Sequence, residues 1–309
     1  MKLFSKSTAI LALLAVGAVA LGSLIWWLRR RKSRARATLL DPDLFRLPTF
    51  RLGVSGQMLQ QIALGGTMIA LPIYLQMVLE YNSMQAGLSL APLSLTMFGV
   101  ALLAGRRTGK RRPSTLIGAG FAMLTLGIAV MIPLIPRATS GWYLTVPLII
   151  AGCGLGLLVS QLNNYTLSPI SDERVSEAAG VNSAAGSFGL SFGLAFVGAI
   201  MLAGLALTFT TMSDNSTVLA ADEKAQVAAV LEDDAQVMSN TALSEQLRGQ
   251  PAATQQEVLR INTEARPLAL QIALTIPILA GLVGLFVALR MSRQPDPTGT
   301  PSPDAMGFG

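Results

Sequence analysis

Seven stretches of the chain carry no Asp, Glu, Lys or Arg for 22 residues or more, at 7–28, 52–79, 81–105, 113–136, 138–171, 178–213 and 267–289. Each is predominantly apolar and, as a helix, long enough to cross a bilayer core, which takes about 20 residues. The pattern predicts an all-α polytopic membrane protein with seven transmembrane helices. It also divides the chain: 1–51 is a first helix plus a basic linker, 52–206 holds helices two to six, 207–266 is a polar segment, and 267–290 is the last helix. The tail 291–309, rich in Pro, Gly, Thr and Ser, is expected to be disordered.

The charges between the stretches set an orientation. Arg29, Arg30, Arg31, Lys32, Arg34, Arg36, Arg46 and Arg51 follow the first stretch, against Asp41 and Asp43 alone, and Arg106, Arg107, Lys110, Arg111 and Arg112 follow the third with no acid. Basic loops stay cytoplasmic, so the N-terminus is expected outside and the C-terminus, with Arg290 and Arg293, inside. The segment 207–266, with nine acids and four bases, then falls outside. There Val227, Val230, Leu231 and Val237 recur at helical spacing, and Gly249 with Pro251 breaks the run, which predicts two or three short amphipathic helices capping the outer face. Lys2 and Lys6 before an apolar run imitate a secretory signal, but the run ends in Trp26, Trp27 and a basic cluster, as a retained helix does. In the linker, Pro42 and Pro48 punctuate short amphipathic turns at the headgroups. Brief connections at 80–85 and 136–141 predict tight hairpins of helix two with three and four with five. Six helices arranged as three plus three form the unit of inverted-repeat transporters. An odd number of spans with an outside start suggests a piece of something larger.

Composition closes most catalytic chemistry. The chain has no histidine and one cysteine, Cys153, inside an apolar stretch, so neither a nucleophile–histidine relay nor a histidine-ligated metal site can be built. No cofactor is expected. The net charge of +6 is laid out as membrane topology, not as a nucleic-acid surface. No ionisable residue sits well inside any stretch, so an intramembrane carboxylate for ion coupling is missing.

The remaining candidates are neutral. Gln57, Gln61, Gly65, Met68, Pro72 and Gln76 step by three or four along the second helix and form one stripe, with Gln60 and Tyr74 nearby. Ser160, Gln161, Asn163 and Asn164 end the fifth helix, and Asn182 and Ser183 enter the sixth. The stripe either lines a water-filled cavity for amphipathic solutes or bonds across to neighbouring helices; both readings stand at this point. Gly152, Gly154 and Gly156, and then Gly186, Gly189 and Gly193, are candidates for close helix packing, the last two as a GxxxG pair. A nucleotide loop would need a strand before the glycines, which the pattern lacks. Pro72, Pro133, Pro147 and Pro277 are expected to kink their helices.

The block from about 52 to 290 resembles the C-terminal half of major facilitator superfamily transporters, in the fourteen-helix drug:proton antiporter branch. The run IALPIYLQMVLEYNSMQAGLSLAP at 69–92 is similar to that branch's helix, outer turn and entry into the next helix, and EAAGVNSAAGSFGLSFGLAFVGAIML at 177–202 to its Gly- and Ala-rich penultimate helix. Residues 7–51 would match the second of its two extra central helices. AGRRTGKRRP at 104–113 is similar to the superfamily's cytoplasmic loop motif, with Gly105, Gly109, Arg111 and Arg112 matching but without its aspartate. The resemblance makes Gly105, Arg106, Arg107, Gly109, Lys110, Arg111 and Arg112 gating-loop candidates, and a purely topogenic basic loop is the alternative. The neutral polar residues within the spans, Gln57, Gln61, Tyr74, Gln76, Gln161, Asn164 and Asn182, are the substrate-cavity candidates.

The resemblance implies half of a drug or small-molecule efflux permease working by alternating access, with the second, third, fifth and sixth helices facing the pathway. Its partners would be the lipid bilayer, a complementary N-terminal half or second copy, and a small amphipathic substrate, in a bacterial plasma membrane. A truncated or accessory membrane subunit with no transport of its own is the alternative. A retinal protein is excluded by the absence of a lysine after Lys224.

Overall fold

The computed structural model describes residues 15–20, 22, 23, 26, 27, 30, 42–106, 112–219, 224 and 240–294. Every regular element among them is helical. The helices α1 (Pro48–Met77), α2 (Ser83–Arg106), α3 (Pro113–Leu134), α4 (Thr145–Leu167), α5 (Val175–Asp214) and α7 (Ala252–Met291) are each long and apolar enough to cross a membrane, and α6 (Asn240–Gln246) is a short helix between the last two. They correspond to the second to seventh apolar stretches. The first stretch lies mostly outside the described residues. Its described positions are helical and exposed, and the Arg30 guanidinium carbon sits 5.0 Å from the Trp26 ring centroid.

Local chemistry sets the helix starts. Pro48 and Pro113 stand in the first turns of α1 and α3, where a missing N–H is no loss. A reciprocal cap opens α2: the Gln85 N–H donates to Asn82 Oδ1 at 2.9 Å and the Asn82 N–H to Gln85 Oε1 at 3.1 Å. Pro72, Pro133 and Pro277 lie inside helices, but Pro147 does not interrupt one. It occupies the first turn of α4, whose N–H groups have no intrahelical acceptor anyway. In the linker, Pro42–Arg46 forms a 3-10 turn whose Leu44 is buried in a small cluster with Phe50, Ile170, Ala178 and Val181.

The packing has a two-fold pattern. Exchanging α1 with α4, α2 with α5 and α3 with α7 carries the pairing α1–α5 onto α4–α2 and α1–α7 onto α4–α3, and leaves α1–α4 and α3–α7 in place. This is the arrangement expected of two three-helix repeats of inverted topology. One pairing breaks the pattern: α5 and α7 pack extensively, while α2 and α3 scarcely touch. The hairpin expected of α1 with α2 is also corrected, because after their short turn α1 goes to α5 and α2 to α4. The small residues of α5 and α4 offer these partners a closer approach than α1 and α2 offer each other.

The break has a cause in length. At about 1.5 Å per residue, the 40 residues of α5 and of α7 reach about twice the thickness of a bilayer core. The two helices therefore continue as a pair into the segment expected to hold only short helices, of which α6 is the one described. The paired extension is held by buried Phe209, Leu219, Val258 and Ile261 and by Ser216 Oγ donating to Glu257 Oε1 at 2.7 Å, while Arg260 bridges Glu257 and Glu264 within α7. Charge marks the end of the bilayer there and not the end of the helix.

Candidate functional site

The helices α1 and α5 cross on glycine. A Cβ on Gly189 would fall 2.5 Å from the Met58 carbonyl oxygen, one on Gly193 would meet the Ile62 carbonyl, and one on Gly65 would lie 2.6 Å from the Leu190 carbonyl. The symmetry-related crossing of α4 and α2 uses the same device, with Gly152 against Leu93 and Gly156 against Met97, while Gly154 turns the other way onto Gly120 of α3. All six glycines singled out from the sequence are buried. Gly186 completes the α5 set, its open side 3.3 Å from Gln57 Nε2.

This crossing leaves one side of α1 uncovered. Gln57, Gln61, Met68, Pro72 and Gln76 are all half-buried, while Gly56, Ala63 and Ala70 on the opposite side are buried. The stripe read from the sequence thus lies at the edge of the α1–α5 contact, interrupted where Gly65 is buried against Leu190. Hydroxyls in these helices mostly satisfy themselves, as Thr67, Thr125 and Thr166 do on carbonyls four residues back. Amides cannot do so. Asn182 of α5, which is 4% exposed, donates from Nδ2 to Asn163 Oδ1 of α4 at 3.2 Å, and its own Oδ1 has no hydrogen-bond partner among the described residues. The same holds for Gln61 Oε1 and for Gln60 Oε1, which points into the core. Unmatched acceptors therefore collect where α1, α4 and α5 meet.

The other sequence candidates fall elsewhere. Asn164 follows Asn163 in α4, about 100° further around the helix, and is exposed without joining the Asn163–Asn182 pair. Gln161 is buried and donates to Ser160 Oγ at 3.2 Å. Tyr74 is buried away from the strip, and its hydroxyl donates to the Ile135 carbonyl at 2.8 Å, tying α1 to the end of α3. Of the gating-loop candidates, Gly105, Arg106 and Arg112 are exposed at the end of the bundle that carries the basic residues. Arg107, Gly109, Lys110 and Arg111 lie outside the described residues.

At the far end of the bundle, three consecutive residues of the α1–α2 turn each hold a different element. Glu80 accepts from the Thr241 N–H at 2.9 Å and the Thr241 hydroxyl at 2.6 Å, which anchors α6. The Tyr81 hydroxyl accepts from the Gly141 N–H at 3.0 Å and lies 3.1 Å from Ser140 Oγ, which secures the α3–α4 turn. Asn82 caps α2. Hydrogen bonds from Thr241, its hydroxyl first, hold the Glu80 carboxyl below its ordinary value against the opposing effect of burial. A chain of side chains runs inward from α6: Asn240 accepts from Asn262 Nδ2 at 2.8 Å, and Asn262 accepts from the buried Arg266 at 3.0 Å. Arg266 lines a small cavity of about 10 Å³ with Ile73, Tyr74, Met77, Met201 and Leu205, where α1, α5 and α7 converge. Sequence reasoning missed Thr241, Asn262 and Arg266, since nothing in their spacing pairs them with a turn some 160 residues earlier. A weak sign was present in the turn itself, which carries no glycine.

Two outward faces differ in kind. On α7 the exposed large residues are Leu268, Ile272, Leu279, Leu282, Val283, Phe286 and Leu289, a surface fit for lipid tails. On α5 the exposed face mixes Ser183, Ala184, Ser187, Ser191 and Ala195 with Phe188, Phe192 and Phe196, whose rings stack at centroid distances of 6.0 and 5.1 Å. Small and hydroxylated residues facing outward are the composition of helix–helix contacts.

Comparison with known proteins agrees with this architecture. Residues 3–194 match the Major Facilitator Superfamily. The probable actinorhodin transporter of Streptomyces coelicolor is 26% identical over 224 residues, 72% of this chain and 39% of that protein. The drug efflux pump JefA of Mycobacterium tuberculosis is 31% identical over 198 residues, 63% of this chain and 38% of that protein. A putative multidrug resistance protein MdtD of an Enterobacter species is 27% identical over 200 residues, 63% of this chain and 41% of that protein. The chain spans about two fifths of the length of these curated relatives.

Proposed function

Because the chain belongs to the major facilitator superfamily and is an integral membrane protein of six described membrane-crossing helices, we propose that it forms one half of a small-molecule efflux permease. The observation that carries this reading is the uncovered strip of Gln57, Gln61 and Gln76 beside the Asn163–Asn182 pair. Half-exposed amides are costly against lipid, so the strip is read as the wall of an aqueous or protein-lined space. The small-residue face of α5 supplies the seam on which a complementary half, or a second copy, closes that space. Transport then proceeds by rocking of the two halves about a midplane site, with the basic end of the bundle cytoplasmic, as the positive-inside rule requires. The chain acts without catalytic chemistry of its own.

The relatives' names support an amphipathic drug-like solute as the cargo. The test is efflux of a fluorescent lipophilic cation from drug-sensitive cells that express the chain alone or with a matching N-terminal half. Proton-dependent efflux on co-expression is the expected result. Efflux from the chain alone identifies a second copy as the partner, and no efflux in either case, with stable insertion, overturns the reading in favour of an accessory subunit.

A further inference from the structure

We propose that Glu80 is the catch of a reversible strap at the far end of the bundle. With its carboxylate engaged by Thr241, α6 binds the ends of α1 and α7 together; when the catch opens, those ends are free to part. Three observations converge on this. The first is backbone conformation. Glu80 is the sole non-glycine residue with positive φ among the described residues, at 54°, in the left-handed position that ends α1, with the Tyr81 N–H returning to the Leu75 carbonyl at 3.0 Å. Helices that end in this way favour glycine there. A glutamate accepts the conformation at a cost, and among the described residues its side chain bonds to α6 alone.

The second observation is how few contacts otherwise hold α6 among the described residues. Leu243 is buried, Asn240 donates to Thr263 Oγ1 at 2.9 Å and accepts from Asn262, and Glu80, Asn240, Thr241, Ser244 and Leu259 line a shallow surface depression of about 390 Å³ that is open to solvent. A seven-residue helix fastened by one buried leucine and a few polar contacts opens locally at far lower cost than the core. The third is where the fastening leads. The chain Asn240, Asn262, Arg266 ends at the small cavity where α1, α5 and α7 meet, so the position of α6 and the closure of those three ends are set by the same side chains.

The transport role of the strap rests on the efflux reading, but the catch itself does not. The full chain, purified in detergent micelles, is digested with trypsin, and cleavage after Arg248, just beyond α6, is followed by fragment mass. Glu80→Gly relaxes the turn and removes the catch together. It is expected to speed this cleavage about tenfold, the effect of losing hydrogen bonds to a charged acceptor, with no loss of thermal stability. Equal cleavage in wild type and Glu80→Gly overturns the catch. In a Cys153→Ala background, Glu80→Cys with Thr241→Cys is then joined by a one-carbon bis-methanethiosulfonate in cells that carry both halves. Efflux that stops on cross-linking and returns on reduction supports a strap that must open. Efflux that persists while the strap is locked overturns it. If no efflux occurs before cross-linking, the efflux reading fails, and the catch is decided by the trypsin result.

Discussion

The crossing of α1 and α5 offers the sharpest quantitative test, because glycines on one helix meet very different surroundings. A Cβ added at Gly189 would fall 2.5 Å from the Met58 carbonyl oxygen, 3.1 Å from Met58 Cα and 3.2 Å from Gln61 Cβ, whereas one added at Gly180 of the same helix meets nothing within 4 Å. Reaching an ordinary contact of 3.4 Å at Met58 requires α5 to withdraw by about 0.9 Å at that point. Neither carbonyl nor helix backbone can fold aside as a flexible side chain would. Overpacking of this kind costs about 1–3 kcal/mol, while the better helix propensity of alanine returns about 1 kcal/mol. Gly189→Ala is therefore expected to be destabilising by up to about 2 kcal/mol. Gly180→Ala, which gains propensity and meets no neighbour, is expected to be neutral or stabilising by up to about 1 kcal/mol. Reversible unfolding in mixed micelles, followed by circular dichroism against mole fraction of SDS, measures both. Equal midpoints for the two variants would refute the close approach. So would a destabilised Gly189→Ala that leaves Asn182 unaltered, since withdrawal of α5 must stretch its 3.2 Å bond to Asn163; the reporter is a double-mutant cycle on the two asparagines.

In the unaltered protein that cycle, Asn163→Ala against Asn182→Ala, is expected to give a coupling of about 0.6 kcal/mol and at most about 1.7 kcal/mol, the average and the maximum found for side-chain bonds between membrane helices; zero coupling removes the pair from the site. Tyr74→Phe deletes the bond to the Ile135 carbonyl at 2.8 Å and is expected to lower stability by about 1 kcal/mol, with efflux in the two-half assembly unchanged, because the hydroxyl does not face the strip. Loss of efflux with stability intact would return Tyr74 to the pathway. Docking of α6 is expected to depend on pH through Glu80. Its carboxyl is held below the ordinary 4.5 by Thr241, so its contribution is fully present above that value and is lost as the pH falls through the lower folded-state value. Hydrogen exchange in 240–246, corrected for the chemical rate, should therefore quicken only in acid, and a profile unchanged by Glu80→Gln contradicts this.

How much was legible in the sequence follows from the range of each interaction. Six apolar stretches became six helices because, in a bilayer, length and freedom from charge outweigh every other local preference. The glycines of α4 and α5 could be assigned to packing, since GxxxG spacing places them on one face whatever the partner. Their partners could not be assigned. Nothing local shows that Gly189 meets Met58 across α1 or that α2 abandons α1 for α4, because pairing is decided by the whole bundle. Asn163 and Asn164 make the same point at the scale of one residue: both read as polar ends of one helix, and the 100° between them decides which one meets Asn182. The polar segment misled in the opposite direction. Charges at Glu257, Arg260 and Glu264 marked a departure from the membrane, yet they stand on one continuous helix and pair with each other at 2.8 and 2.9 Å.

The departure from two-fold symmetry carries a mechanical consequence. If the repeats were equivalent, α2 would pack on α3 as α5 packs on α7. Instead the α5–α7 pair is lengthened beyond the membrane and tied by Ser216 and Glu257, and α2 stands nearly free of α3. Motion of one half against another bends whatever is least braced. The braced pair is α5–α7, to which the strap and its chain of asparagines are attached, and the element that lacks the equivalent brace is α2, which packs on α4 across Gly152 and Gly156 but not on α3. Bending should therefore concentrate in α2, and the far ends of α1, α5 and α7 should move as one body when the Glu80 catch is closed. Distances measured by spin labels settle this. A pair on α5 and α7 should keep one distance in both access states, and a pair on α2 and α3 should show two. Two distances on α5 and α7 with the catch closed would mean that the brace does not exist.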